Sequence, residues 1–252
     1  MVRAAGGSIK QEDIVKKILA AFLFGLIFCF WTRSAAAQLR KLSPGSYGGY
    51  LVDNPGLAFN DTYTLDLSQY DAARVSAQVL YSSATFAAVT FSSSDYQLGG
   101  SEILAPNHGL PLALPVLYAV GSGAAINGLT GGTTYYIIPA AKNYIELSTT
   151  SALAQAGDFV TLNSSSTSSQ SYSLTPLAIA GTPSFEFQVS NDGSDFLAAP
   201  STGTVSIASY SNPAADIIVD FGYLNYRYLR LNVTAPTAGA LMIDASVIAK
   251  HP

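Results

Sequence analysis

The sequence has few of the side chains on which catalytic and metal centres depend. Its 252 residues include one cysteine, Cys29, and two histidines, His108 and His251. This scarcity argues against a disulfide framework, a multi-histidine metal centre and a histidine-based catalytic triad. The GSG at residues 121–123 lacks the third glycine of a dinucleotide-binding motif, and the sequence has no phosphate-binding loop. We therefore predict a non-enzymatic protein with no cofactor and no metal.

Charged residues are also scarce, at 11% of the chain with a formal net charge of −4. Nucleic-acid-binding surfaces concentrate lysine and arginine, so this charge predicts no nucleic-acid partner. Instead the sequence has 21 glycines and 15 tyrosines. This composition is typical of β-strands joined by tight turns, and the length suits one large or two small β domains.

The N-terminal segment has the pattern of a secretory signal. Lys16 and Lys17 precede an apolar run at residues 18–31, and three alanines ending at Ala37 follow. The run is shorter than the roughly 20 residues of a membrane span. Residues 1–37 are predicted to be a signal peptide cleaved after Ala37, with an uncleaved anchor helix through residues 14–31 or a packed hydrophobic helix as the alternatives.

The next segment, residues 38–56, has the character of a linker or irregular arm. It contains Pro44, Pro55 and a glycine-rich cluster that includes Gly48 and Gly49. These residues favour turns and interrupt regular strands. We expect folded structure to start near Phe59.

Beyond this point, apolar residues alternate with polar ones in short segments, as half-buried strands require. Strands are predicted at residues 64–68, 75–81, 86–91, 185–189, 204–208, 217–221, 227–233 and 241–248. This number and spacing predict an all-β fold, an antiparallel, jelly-roll-like β-sandwich. Residues 99–175 differ from the rest, because they are rich in glycine and proline and end in a serine-rich run. We expect a sandwich made from residues 57–98 and 176–252, with a small β domain inserted at 99–175 and a helical turn at 151–156.

The inserted segment resembles a small β module of tail, fibre and other structural proteins of tailed bacteriophages. The resemblance rests on His108-Gly109, the strand at 116–118, the GLTGGTTYY motif at 128–136, the strand at 143–147 and the turn at 152–157. It departs at residues 110–115, where the phage module has a polar turn. The resemblance implies a building block of a virion or a cell surface rather than an active site.

The segments at 185–196 and 226–233 are similar to discoidin-like and related carbohydrate-binding sandwiches. In some members of those families, loops bind glycans or calcium. In the second segment Leu229, Leu231 and Val233 share one strand face, which leaves Tyr228 and Arg230 on the other.

Six residues are candidate contacts for a ligand or partner. Tyr135 and Tyr136 are adjacent in one predicted strand, so their side chains point to opposite faces. One of the two is therefore expected in the core and the other at the surface. The turn at 191–195 has part of a calcium-loop pattern but lacks its final glutamate, so a hairpin turn is expected and a weak cation site is the alternative. The candidates are Tyr136, Asn191, Asp192, Asp195, Tyr228 and Arg230.

The expected function is that of a non-enzymatic structural protein of a phage virion, in the head decoration, connector, tail or fibre. Its partners would be copies of itself and other virion proteins. The alternative is an exported glycan-binding or adhesive protein at the cell surface, with a host surface glycan as partner. A glycan hydrolase or lyase is the enzymatic alternative, although Asp66, Glu186, Asp220 and Asp244 are expected on the solvent faces of strands.

Overall fold

The computed structural model describes residues 40–43, 46–70, 74–96, 100–163, 170–200, 204–207 and 215–250. In these ranges the chain forms three antiparallel β-sheets, a short α-helix and one turn of 3-10 helix at Leu67–Gln69. The all-β prediction is confirmed. The predicted signal or anchor segment at 1–37, with its hydrophobic helix, lies outside the described residues, as do His251 and residues 164–169 of the serine-rich run.

Sixteen strands and one α-helix follow one another along the described chain. They are β1 Arg40–Ser43, β2 Ser46–Leu57, β3 Asp61–Asp66, β4 Arg74–Ala84, β5 Val89–Ser92, β6 Ile103–Leu104, β7 Pro115–Ser122, β8 Thr134–Ala141, β9 Tyr144–Ser148, α1 Ser151–Ala156, β10 Ser171–Pro176, β11 Ser184–Ser190, β12 Leu197–Ala198, β13 Val205–Ser206, β14 Ala215–Tyr223, β15 Tyr228–Thr234 and β16 Ala240–Lys250.

Sheet I has the strand order β1-β2-β16-β4-β14. Its central strand β16 pairs with β4 from Ala240 opposite Ala84 to Lys250 opposite Arg74. Every second side chain of β16 is buried, as the alternation in the sequence predicts. These buried residues are Leu241, Ile243, Ala245, Val247 and Ala249.

Residues 46–57 form β2 and not the predicted linker. This strand pairs with β16 and buries Leu51, Val52 and Leu57. Pro55 has no N–H to donate, and it lies where β2 and β16 shift register, so the bulge tolerates it. The prediction of an irregular arm, with folding from Phe59 onward, was wrong because burial of these three apolar side chains outweighs the glycine and proline content.

Sheet III has the order β12-β11-β15-β3, and β13 also pairs with β11. Sheets I and III contribute side chains to one buried core and form an antiparallel β-sandwich. Phe187 of β11 lies at the centre of this core, 5.1 Å from Phe221 of β14 between ring centroids. The predicted turn after Ser190 joins β11 to β12, which pair as a hairpin.

Sheet II has the order β5-β10-β7-β8-β9-β6 and uses strands only from residues 89–176. It has its own buried core, in which Tyr118 and Tyr172 stack with ring centroids 6.0 Å apart. β5 was predicted as the third strand of the sandwich, but it pairs with β10 and therefore belongs to sheet II. The division of the chain at residues 98 and 175 into host and insert stays a prediction.

The predicted helical turn is α1, which Thr150 caps by accepting a hydrogen bond from the Leu153 N–H at 3.2 Å. None of the helices in the described ranges is long and apolar enough to cross a bilayer.

Candidate functional site

Two of the six predicted contact residues, Tyr228 and Arg230, lie on the face of sheet III that is turned away from the core. Asn191, Asp192 and Asp195 lie in the turn that follows β11. We call this face of sheet III the polar face. Its side chains come from β11, β15 and β3, in cross-strand rows fixed by the register of the three strands. The rows are Ser190, Tyr228 and Asp66, then Gln188, Arg230 and Thr64, then Glu186, Asn232 and Thr62. The side chains on the other face of β15 are fully buried, as predicted, and they are those of Leu229, Leu231 and Val233.

Arg230 is held in place by two neighbours on the polar face. Its guanidinium Nε donates to Gln188 Oε1 at 2.9 Å, and Nη2 donates to the same oxygen. Its Cζ lies 3.6 Å from the ring centroid of Phe196, a cation–π contact. Gln188 Nε2 in turn donates to Glu186 Oε2 at 2.8 Å. Burial lowers the pKa of Arg230 from its ordinary value, while the charge of Glu186 opposes this shift. These contacts hold the planar guanidinium of Arg230 over the ring of Phe196.

Asp192 organises the turn next to Tyr228. Its Oδ1 accepts from the backbone N–H groups of Asp195 and Ser194, both at 2.9 Å, and from Ser190 Oγ at 2.8 Å. These hydrogen bonds, with that from Asp195 the largest cause, hold the pKa of Asp192 well below its usual range. An added Cβ on Gly193 would lie 3.2 Å from the Tyr228 ring, so the turn packs closely against that ring. Asp192 therefore acts as a turn residue.

An ion pair connects Arg227, the residue before β15, to β3. Arg227 Nη2 donates to Asp66 Oδ2 at 3.1 Å, and the Arg227 guanidinium lies 4.9 Å from the Tyr228 ring centroid. The hydrogen bond from Arg227, followed by that from the Ser68 hydroxyl, lowers the pKa of Asp66 to about 2. Asn191 Oδ1 accepts from the Arg227 backbone N–H at 3.3 Å. Sequence reasoning named Asp66 only as a strand acid and did not identify Arg227.

Tyr136 lies apart from the polar face. It is half-buried and lines a cleft of about 410 Å³. The cleft has no charged side chain in its lining, which consists of Ala58, Phe59, Asn60, Pro115, Tyr136, Ser151, Ala152, Gln155, Ala235, Pro236, Thr237, Ala238 and Gly239. Tyr135, on the opposite side of β8, is buried, and its hydroxyl accepts from the Thr130 N–H at 2.9 Å. This confirms that the pair has one core tyrosine.

His108 holds a turn together. Its Nδ1 accepts from the Leu110 N–H at 3.0 Å, and its Nε2 lies 3.1 Å from the Ala141 carbonyl oxygen, to which the protonated Nε2 donates. In the ranges that the structure describes, no group of three or more metal-ligating side chains comes together. Of the strand acids, Asp66 and Glu186 lie on the polar face, whereas Asp220 and Asp244 lie on sheet I.

The outer face of sheet I differs from the polar face in its apolar content. Cross-strand pairing places Tyr50, Ser246, Gln78 and Ile218 in one row across four strands. Tyr50 is 62% exposed and Ile218 is 72% exposed. Other exposed apolar side chains on this face are Tyr223, Met242 and Ile248. We call this surface the sheet I face.

Neither known protein families nor curated proteins show a match to this sequence.

Proposed function

We propose that this chain is a non-enzymatic structural protein of a tailed-phage virion, in the head decoration, connector, tail or fibre, and that it acts through protein–protein assembly. The observation that carries the proposal is the exposure of large apolar side chains on the sheet I face. Tyr223 is 74% exposed there, on the same face of the sheet as Tyr50 and Ile218. Burial of such side chains against a neighbour is favourable by about 25 cal/mol per Å² of apolar surface. Contiguous exposed apolar surface marks sites of association.

The phage-like motif supports the same role. Its GLTGGTTYY segment at 128–136 includes the start of β8, with Gly132 in a turn that donates its N–H to the Tyr118 carbonyl oxygen at 2.8 Å. The glycines and apolar residues of the motif therefore serve backbone geometry and core packing. We infer a jelly-roll-like sandwich that bears residues 99–175 as an inserted module, with other virion proteins and further copies of the chain as its partners.

Mass spectrometry of purified virions tests this role. The chain should be found in particles banded on a density gradient, in a constant ratio to the major capsid protein. An abundant protein of the host cytoplasm serves as the contamination control and should fall away with each purification step. A chain that is lost from particles together with the host protein contradicts the proposal.

A second candidate function is the binding of a surface glycan by an exported form of the chain. The polar face favours it, because Gln188, Arg230 and Asn232 place amide and guanidinium groups on adjacent strands, and Arg230 lies over the ring of Phe196. Neutral sugars bind to such faces through hydrogen bonds and ring stacking.

A glycan array probed with the full chain separates the two functions. Binding that is lost in Arg230→Ala but kept in Lys142→Ala would support glycan recognition by the polar face, because Lys142 is an exposed lysine in the turn between β8 and β9. N-terminal sequencing of secreted material should then show a start at Gln38. Absence of array binding together with an intact Met1 in particles excludes this candidate.

A further inference from the structure

We propose that the sheet I face is a self-complementary interface, on which two copies of this chain pack face to face about a two-fold axis. The inference rests on the proposed structural role and specifies which surface and which partner would carry it.

Three exposed apolar side chains of the sheet I face, Tyr50, Ile218 and Ile248, lie in two neighbouring rows in the middle of the sheet, which we call the apolar band. Tyr223, in the row of Arg74, and Met242, opposite Ser82, lie outside this band. The row of Tyr50, Ser246, Gln78 and Ile218 crosses β2, β16, β4 and β14. In the next row, Ile248 lies between Gly48 of β2 and Ser76 of β4 and is 39% exposed. On β2, β16 and β4 the cross-strand neighbours of these side chains are small or uncharged, whereas on β14 Asp216 and Asp220 lie on either side of Ile218. A second sheet can pack onto such a face.

Charges of opposite sign lie on the two sides of this band. On one side, Lys250 and Arg74 are paired across β16 and β4, and Arg74 Nη2 lies 3.0 Å from Asp220 Oδ2. The Arg74 charge is therefore matched within the chain, whereas Lys250 adds a further positive charge close to Asp220.

The other side of the band is acidic. Asp53 and Asp244 lie directly opposite each other on β2 and β16, and Asp216 lies two strands further along the same row, where it accepts from Gln78 Nε2 at 2.8 Å. Burial, and then the charge of Asp53, raises the pKa of Asp244. Like charges directly opposite on adjacent strands are destabilising. In the described part of the chain no salt bridge reaches any of these three carboxylates.

A two-fold axis between the sheets, running across the strands, reverses the strand direction of the second copy. It therefore places the Lys250 end of each copy over the acidic row of the other, and the apolar bands over each other. Within one copy Lys250 and Asp244 are six residues apart on a straight strand, which is about 20 Å, so they are too far apart to pair. The arrangement makes the same contact twice, as an isologous interface requires.

The size of the face also fits a stable dimer. The five strands have 4, 12, 11, 11 and 9 residues, at about 3.3 Å per residue and about 4.8 Å between strands. They give a face of about 750 Å², close to the roughly 800 Å² that each partner buries in a stable interface.

Sedimentation equilibrium of the full chain at low ionic strength tests the interface. The wild-type chain should dimerise, and Lys250→Glu or Asp244→Lys alone should each weaken the dimer about tenfold or more. The double variant with both changes should recover most of the lost affinity, because it restores opposite charges across the two-fold axis. Lys142→Glu makes the same charge change on an exposed residue away from the face and should leave the dimer unchanged. Circular dichroism checks that every variant is folded.

Ile218→Asp tests the apolar band separately and should weaken the dimer by a further factor of about ten or more. A wild-type chain that stays monomeric at about 100 μM, or a dimer that neither Lys250→Glu nor Ile218→Asp weakens, overturns the proposal. These outcomes are distinct from failure of the virion role. If the chain is present in virions but neither Lys250→Glu nor Ile218→Asp weakens its dimer, only the proposed interface is overturned. If the chain forms a charge-dependent dimer but is absent from virions, only the virion role is overturned.

Discussion

Replacing Gly128 with alanine should destabilise the protein far more than the same change at Gly132, although both glycines belong to the phage-like motif. Gly128 has φ +105° and Gly132 has φ +77°, so alanine is strained at either position. The difference lies in their surroundings. An added Cβ on Gly128 would lie 2.4 Å from the Thr161 carbonyl oxygen, whereas one on Gly132 would meet nothing within 4 Å.

The expected loss of folding stability has two contributions, the strained backbone conformation and the clash of the added Cβ. The left-handed conformation costs alanine about 1–2 kcal/mol at either glycine. At Gly128 the clash is with backbone, which cannot rotate away, and overpacking of this kind adds about 1–3 kcal/mol. The neighbouring link, in which the Asn163 N–H donates to the Asn127 carbonyl oxygen at 2.9 Å, should open as Thr161 moves. Gly128→Ala should therefore lose about 2–5 kcal/mol in total.

Urea unfolding followed by circular dichroism measures both variants against the wild type. A gap of about 1–3 kcal/mol between the two glycines is the expected result. Equal losses, within about 0.5 kcal/mol, would refute the reasoning, because the positive φ alone would then account for both. Hydrogen exchange at the Asn163 amide provides a local check, since its protection should fall in Gly128→Ala and remain in Gly132→Ala.

Three further outcomes are expected. Phe187→Ala, which empties the centre of the sandwich core, should cost about 3–5 kcal/mol in urea unfolding, while Phe159→Ala at a 50% exposed position should change stability by less than about 0.5 kcal/mol. Asp66→Asn should cost only about 0.5–1 kcal/mol, because the pair with Arg227 is largely exposed. Since the folded pKa of Asp66 is lowered to about 2, the wild-type advantage should be complete above about pH 4 and disappear as the pH falls toward 2; a pH-independent difference would contradict the ion pair. Tyr118→Phe leaves the Ile126 N–H without its acceptor and should cost about 1–3 kcal/mol. Burial raises the pKa of Tyr118 to about 12. The stability that the tyrosine adds should therefore be complete below about pH 10 and be lost as the pH rises through 12. An ultraviolet titration in which Tyr118→Phe retains every late-titrating phenol would contradict this assignment.

Alternation of apolar and polar residues was enough to predict the strands that bury one face. β11, β15 and β16 follow this pattern, and their buried parities are those expected from the sequence. The same rule failed at β2, where glycines and a proline at a bulge conceal a strand. At β16 it places Met242 on the face opposite Leu241 and Ile243, but it does not show that this face of the sheet is exposed.

The polar face could be predicted only in part. Tyr228 and Arg230 follow from strand parity, and the turn at 191–195 follows from its local composition. The contact between Arg227 and Asp66 joins residues 161 positions apart. No local pattern indicates such a contact, since it depends on the register that places Tyr228 opposite Asp66. The stacking of Arg230 on Phe196 likewise depends on how the hairpin closes.

The position of β16 also governs the order of events as the chain leaves the ribosome. β16 lies between β2 and β4, yet its first residue, Ala240, follows the end of β4 at Ala84 by more than half the chain. Sheet II draws on residues 89–176 alone, so its strands can pair while later residues are still being translated. The facing edges of β2 and β4 stay unpaired until residue 250 emerges. During that interval they offer free N–H and C=O groups to other chains, and a chaperone that shields strand edges would act there.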